Sequence, residues 1–418
     1  MNATTHFRTT YLIETASDPQ DAAETLAGEQ SAGTFVRVPA ETDGLRARHG
    51  AIVLNVEVLD ESERPALPGA IVARPGEPYR RARVEIAYPV ENVGDSLPQL
   101  LTTIGGNLFE LAPLSGVRVV DVEIPAPVLD NCPGPQFGIE GTRRLAGVDG
   151  RPLIGTIVKP SVGLTPAQTA ELVETLADAG LDFVKDDELI ADPPYSPFVD
   201  RTEAVLAALR RHRDRSGRSV MYAANLTGDS DDMRRHHDAV VDHGGNCVMV
   251  SVLSVGLAGL MALRRHSDLP IHAHRNGWGA LTRHPLLGFD FDVMQKFWRL
   301  AGADHIHVNG IDNKFTESNE SVAASARSCI EPLGGHPPTV PVFSSGQWAG
   351  TATETLAAAG GPDLIHVAGG GIMAHPDGPA AGVESMLDAW EAALADRSVA
   401  EHANDRPALR RAFERFGS

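Results

Sequence analysis

The sequence predicts an α/β protein, a C-terminal (β/α)8 barrel preceded by an N-terminal α+β domain. Three observations carry this expectation. The chain has 418 residues, more than one small core needs. Eight short apolar runs recur between residues 153 and 368, most of them separated by helix patterns. Ahead of them, strand-like and helix-like stretches mix without that rhythm.

Taken in order, "TYLIE" and "GTFVRV" read as short strands. The stretch "SDPQDAAETLAG" between them carries helix punctuation: Asp18 as N-cap, Pro19 at the first helical position and Gly28 near the end. Two alternating runs follow, "AIVLNVEVL" and "ARVEIAYPV", then a short helix at "SLPQLLTTIGG" and a strand at "VRVVDVEIP". This mixture suggests a sheet with helices on one face, over residues 1–125. Residues 126–150, with "PAPVLDNCPGPQFGIEG", read as a loop-like linker. The barrel is expected over 151–400 and a C-terminal tail over 401–418.

The eight barrel strands are "LIGTIV", "LDFV", "VMYAAN", "CVMVSV", "PIHAH", "HIHV", "TVPVFS" and "LIHVA". The helix pattern "TPAQTAELVETLADAG" shows why the intervals read as helical. Thr165 can cap, Pro166 opens the helix, Gln168 completes a capping box and Gly180 stops it.

Composition narrows the partners. Lys+Arg number 36 against 55 Asp+Glu, a net charge of −19, which argues against nucleic acid or an anionic membrane. A local basic pocket for phosphate stays compatible with it. Cys132, Cys247 and Cys329 are widely spaced, suggesting neither a disulfide framework nor a zinc site, so a reducing cytoplasm fits. The opening MNATTHFRTTYLIET has no apolar core of a secretory signal. No run approaches the roughly 20 apolar residues of a membrane span.

In such a barrel functional residues lie just after the strands. Those positions hold Lys159, residues 185–188, Asn225, His274 with Arg275, His307, Ser344 with Ser345, and Gly369 to Gly371. In "GLDFVKDDEL", residues two apart share a strand face, so Lys185 and Asp187 can both point inward, with Glu188 following. Two carboxylates are half of a site for a hard cation such as Mg2+. A protonated lysine cannot ligate, whereas a lysine carbamate formed with CO2 could. The competing reading is a structural ion pair at the rim.

Lys159 is a proton-transfer candidate, or a phosphate-holding or solvated lysine. The pairs His272/His274 and His305/His307 bring imidazoles to successive rim positions, and Arg275 suits phosphate or carboxylate. "VAGGGIMAHP" after the last strand suits an anion or a tight turn. "GIDNKFTES", with Lys314, reads as a closing lid or an ordinary surface loop.

"GTIVKPSVGL", "GLDFVKDDE", "HAHR", "DHIHVNG" and "VAGGGIMAHP", in this order and spacing, resemble the large subunit of RuBisCO. "EQSAGTF" and "IGGNLF" extend the resemblance to the N-terminal part, so that it covers roughly residues 10 to 390. It implies that Lys185 becomes a carbamate and binds Mg2+ with Asp187 and Glu188, and that Lys159 handles the enolisation proton. It implies substrate and phosphate contacts for His274, Arg275, His307 and Ser344. Gly346, Gly369 and Gly370 would form the other phosphate pocket, with Thr34 reaching in. Glu29 and Asn107 would be donated by the partner subunit of a homodimer, and Lys314 would be the lid lysine that positions CO2.

Departures from the family pattern set the function expected. Ser161 replaces a second lysine, Phe35 stands for tryptophan, Trp278 for histidine, Ser345 for glycine, and Phe315 for leucine. The chain therefore resembles a RuBisCO-like protein that keeps the enolisation machinery and loses the carboxylase set. An indole at the pocket is expected to reshape substrate choice. The surviving phosphate pockets and Lys314 point to decarboxylation or C–C cleavage of an oxo sugar-acid phosphate such as 3-oxo-isoapionate 4-phosphate. An enolase or isomerase of a methylthio-sugar phosphate, of the 5-methylthioribulose 1-phosphate type, is the alternative. Ribulose bisphosphate carboxylation and a non-catalytic metabolite-binding role come third.

Overall fold

The computed structural model describes residues 5–33 and 38–417. "GTFVRV" and Thr34 with Phe35 fall largely or wholly outside them. The chain divides into two compact units. The first is Met1–Cys132 with Gly277–Phe297, and the second is Pro133–Asn276 with Trp298–Ser418.

In the first unit, β1 (His6–Thr15), β2 (Ile52–Ser62), β3 (Tyr79–Pro89) and β4 (Leu114–Val122) stand where alternating patterns predict them. β1 lies antiparallel between β3 and β4, with Thr10 opposite Glu85 and Ile13 opposite Val117. Tyr11, Ile13, Val84, Ile86 and Tyr88 are buried on or between these strands. The helix Pro19–Glu29 begins at Asp18, whose carboxylate accepts from the Gln20 amide, and it packs on β2 and β3. Ser96 caps the helix Leu97–Ile104 in the same way.

A fifth strand, absent from the sequence reading, is β10 (Leu287–Phe289), which pairs parallel to β4 at the sheet edge. Three residues are too few to show a period. What fixes this strand is long-range: the Arg118 guanidinium bonds Asp290 at 2.6 Å and the carbonyls of Thr282 and His284 at 2.9 and 2.8 Å.

The second unit is a closed parallel barrel. Its strands are β5 (Leu153–Ile157), β6 (Phe183–Lys185), β7 (Met221–Asn225), β8 (Cys247–Ser251), β9 (Ile271–His274), β11 (His305–Asn309), β12 (Val340–Phe343) and β13 (Ile365–Val367). Spatial order follows sequence order, and β13 closes against β5. Each apolar run named above supplies one strand. Thr165 and Gln168 form the reciprocal capping box at the helix Pro166–Asp178.

Residues 126–150 are not a plain linker. They hold the helix Ala126–Asn131 in the first unit and Gly138–Ala146 in the second. Both are short and set among prolines and glycines, which hides their period. Gly147 ends the latter at φ 67, a conformation that favours glycine. Phe183, Met221, Met249, Val342 and Ile365 fill the barrel with Ala146 and Val148 beneath them. The expected tail is also packed: the helix Pro407–Phe416 buries Leu409 and sets Phe413 5.0 Å from the Trp348 ring. The three cysteines are buried. No helix among the described residues is long and apolar enough to cross a membrane.

Candidate active site

The stretch 185–188 splits by face, as strand geometry requires. Asp186 turns away from Lys185 and Asp187 into a wholly buried network. Its carboxylate accepts from Tyr222 Oη at 2.8 Å, Arg201 Nη2 at 3.2 Å and the Asn225 amide at 3.1 Å. The structural ion pair is thus Asp186 with Arg201.

Lys185 and Asp187 face the other way. Lys185 is 0 % exposed, its Nζ donating to the Asp186 carbonyl at 2.8 Å and lying 3.6 Å from Glu188 Oε2. Lys159 Nζ reaches across from the end of β5 to Asp187 Oδ2 at 2.5 Å and to Ser161 Oγ at 2.8 Å. Asn225, expected among the rim contacts, is a brace: its side-chain amide donates to the carbonyls of Asp187 and Ile190 at 3.3 and 3.1 Å.

The network continues around the rim. His274 Nε2 lies 3.5 Å from Glu188 Oε2, and its Nδ1 is 3.0 Å from Asn276 Oδ1. Burial, helped by the Lys185 charge, pushes His274 down to about 4. Burial alone would raise Glu188, but positive charge at His274 and Lys185 overrides it and holds the carboxyl below its ordinary range. At neutral pH the carboxylate is ionised and the imidazole neutral.

The His274 ring sits 4.5 Å from that of His307. His307 bonds Ser344 Oγ at 2.9 Å, and Ser345 Oγ donates to Asn309 Oδ1 at 2.9 Å. Asn309 Nδ2 donates to Glu317 Oε2 at 2.6 Å, and that same oxygen takes a short ionic hydrogen bond from Arg275. Asn309 and Ser345 hold φ of 65 and 71, left-handed conformations that favour glycine. Asn309 and Glu317 escaped the sequence reading, although Asn309-Gly310 is a turn signal that could have marked the bend.

The segment 310–318 is folded onto this rim. The Lys314 amide donates to the Ser345 carbonyl at 3.2 Å, and Lys314 Nζ stands over the Phe315 ring. Gly346 has φ 90 and lies against Lys314, so a side chain there would be strained and crowded. Gly369 and Gly370 open the short helix Gly369–Met373 after β13, with Gly369 beside Ile157 and Lys159. Gly371 cannot carry a Cβ, which would meet Gln347 O at 2.5 Å.

Glu29 and Asn107 belong to the first unit. Glu29 ends the helix Pro19–Glu29, and Asn107 precedes the 3-10 turn Leu108–Glu110. The Gln30 amide ties them together in its satisfied orientation, accepting from the Asn107 N–H at 3.1 Å and donating to the Thr103 carbonyl at 3.2 Å. The Trp278 indole is buried in the first unit, 5.6 Å from the Phe291 ring.

Residues 138–416 match the ribulose bisphosphate carboxylase large chain, catalytic domain, and residues 2–128 match its N-terminal domain. A 3-oxo-isoapionate-4-phosphate transcarboxylase/hydrolase of Xanthobacter autotrophicus is 52% identical over 406 residues, 97% of each chain. A 3-oxo-isoapionate-4-phosphate decarboxylase of Rhizobium rhizogenes is 45% identical over 410 residues, again 97% of each. The crystal structure of a rubisco-like protein from Burkholderia fungorum superposes with a TM-score of 0.92 at 45% identity, covering 98% of this chain and 100% of that one. With both domains matched in order and the lysine–carboxylate rim in place, this chain belongs to the RuBisCO large-chain family as a RuBisCO-like protein.

Proposed function

We propose that this enzyme breaks the bond between the carboxyl carbon and its neighbour in a 3-oxo sugar-acid phosphate, of the 3-oxo-isoapionate 4-phosphate type, with Mg2+ and a lysine carbamate completing the site. One observation carries the reading: a fully buried Lys185 shares its rim with Asp187 and Glu188, while Lys159 sits on Asp187. The names of the relatives at 52% and 45% identity support the substrate class.

The donor set fits a hard cation. Burial lowers the Lys185 pKa against the pull of Glu188, Asp187 and Asp186, which favours the neutral amine that adds CO2. A carbamate there, with Asp187 and Glu188, would give three oxygen ligands. A divalent ion would balance the Asp187 and Glu188 carboxylates, beside which the Lys159 and Lys185 nitrogens lie. When bound, the ion supplies positive charge beside the oxygens on which negative charge develops.

The remaining chemistry belongs to the chain. Arg275 and the glycines 346, 369 and 370 hold the anionic ends of the substrate. As the C–C bond breaks, its electron pair moves into the adjacent carbonyl and CO2 leaves. Lys159 then gives its proton to the carbon that lost the carboxyl group, so charge and atoms balance. Lys314, brought over the rim by its loop, faces the departing carboxylate. Glu29 and Asn107 of one subunit serve the barrel of the other in a homodimer. Mixing Lys185→Ala with Asn107→Ala protein should then restore turnover that each lacks alone.

A second outcome is favoured by the 52% relative's name: the carboxyl stays within organic products that water then cleaves. Product analysis with the carboxyl-labelled oxo-acid phosphate, Mg2+ and bicarbonate separates the two. Labelled CO2 supports decarboxylation, and labelled acid products support transfer and hydrolysis. No turnover of that substrate, with isomerisation of a methylthio-sugar phosphate instead, would sink both.

A further inference from the structure

The two H-x-H pairs continue below the rim. Thr142, on the helix Gly138–Ala146 under the barrel, has its Oγ1 2.5 Å from the Gly138 carbonyl and 2.8 Å from His305 Nε2. His305 Nδ1 faces His272 Nδ1 at 3.4 Å, its Cα partner on β9. His272 Nε2 meets His307 Nε2 at 2.7 Å, and His307 Nδ1 meets Ser344 Oγ at 2.9 Å. Thr142, His305, His272, His307 and Ser344 are all buried, so this column runs from the floor of the barrel to its rim away from water.

Its direction is set at both ends. A carbonyl has no proton, so the Thr142 hydroxyl must donate to Gly138 O and can only accept from His305. His305 therefore carries its proton on Nε2 and leaves Nδ1 bare. Two bare nitrogens facing at 3.4 Å in a dry interior would repel, so His272 is protonated on Nδ1. Its bare Nε2 then accepts from His307 Nε2–H, and the bare His307 Nδ1 accepts from the Ser344 hydroxyl. At the upper end, Glu317 fixes the Asn309 amide, whose oxygen takes the Ser345 proton. Ser345 has none left for Ser344, in accord with their long 3.4 Å separation. Burial pushes all three imidazoles down, His305 to about 3, so each stays neutral with a single proton.

We infer that Thr142, His305 and His272 are positioning residues: they fix the His307 tautomer and turn Ser344 into a hydrogen-bond acceptor toward the substrate, so that it selects a hydroxyl there and not an anionic oxygen. Thr142 hydrogen-bonds Gly138 and His305, and its influence on the rim runs through the column.

The test uses the full-length protein labelled with 15N in the histidine rings, signals being assigned with single histidine variants. Two-bond 1H–15N correlations should show Nε2–H for His305 and His307 and Nδ1–H for His272. Finding His272 protonated on Nε2 overturns the inference, with no variant needed. In Thr142→Val the acceptor is lost, and all three tautomers should reverse while the melting curve stays cooperative. Thr142→Ser should keep the wild-type pattern. The kinetic arm rests on the proposed function: KM for the oxo-acid phosphate should rise about tenfold in Thr142→Val with kcat little changed, and recover in Thr142→Ser. Unreversed tautomers in a folded Thr142→Val, or reversed tautomers with KM unmoved, count against it. Failure of every protein, wild type included, on that substrate would fault only the functional reading.

Discussion

Lys159 Nζ stands 2.5 Å from Asp187 Oδ2, joining the end of the first barrel strand to the carboxylate that follows the second. One hydrogen bond thus places a candidate proton carrier against a candidate metal ligand. The Lys159 side chain is 38% exposed, so it can be shortened without opening a core. Lys159→Met should lower turnover by about 10²- to 10⁴-fold, the range for losing a proton-transfer group. The thermal midpoint should hardly move. A kcat within threefold of wild type would remove Lys159 from the chemistry.

The two aspartates side by side should behave as opposites. Asp187→Asn should abolish Mg2+-dependent turnover and leave the fold intact. Asp186→Ala leaves the Arg201 guanidinium buried and unpaired, which costs about 3–5 kcal/mol. Urea unfolding measures the second effect, and titration calorimetry with Mg2+ and bicarbonate the first. Equal stability losses in both variants would contradict the division by strand face.

Lysine modification can be read directly. Incubation with 13C-bicarbonate and Mg2+ should yield a carbamate 13C resonance that Lys185→Ala lacks. Chelation of the metal should remove turnover, and readdition with bicarbonate should restore it. A resonance that persists in Lys185→Ala would move the modification elsewhere.

Glu317 occupies Arg275 in a short ionic hydrogen bond. An anionic substrate group that uses Arg275 must compete with this carboxylate. Glu317→Gln should therefore lower KM for the phosphorylated substrate several-fold. It should also make the segment 310–318 more susceptible to limited proteolysis, because one of its ties to the barrel is lost. A raised KM with unchanged proteolysis would argue that the ion pair orients Arg275.

Acid should weaken the fold through its buried imidazoles. Burial lowers His305 and His366 to about 3, against 6.5 for an exposed ring. Their folded values lie below the unfolded one, so their contribution is present above pH 6.5 and is lost as pH falls toward 3. Between pH 7 and 5 each should cost about 2 kcal/mol of stability. His366 accepts from Trp390 Nε1 at 2.9 Å, and its Nε2 faces Gln347 Oε1 at 3.3 Å. His366→Gln should flatten the stability–pH slope by about that one share, measured by urea unfolding at both pH values.

Local rules sufficed for the barrel. Each strand is an apolar run bounded by turn residues, and helices such as Pro166–Asp178 and Ser230–Asp242 carry side-chain caps, so eight units and their rim positions could be read from neighbouring residues alone. The same period of two brought Lys185 and Asp187 to one face. Short or masked elements were not legible in this way. β10 exists because Arg118, some 170 positions away in the chain, binds around it, and Gly138–Ala146 is set among the prolines and glycines of an apparent linker. Nor could the chain order show that Asp186 belongs to Arg201, that Glu317 holds Arg275, that Trp278 packs on Phe291, or that Thr142 lies under His305. Sequence fixes which groups a strand end presents, because backbone geometry repeats every two residues. Which partner each group meets depends on the closing of the barrel and the packing of distant segments, and those partners set its charge and proton.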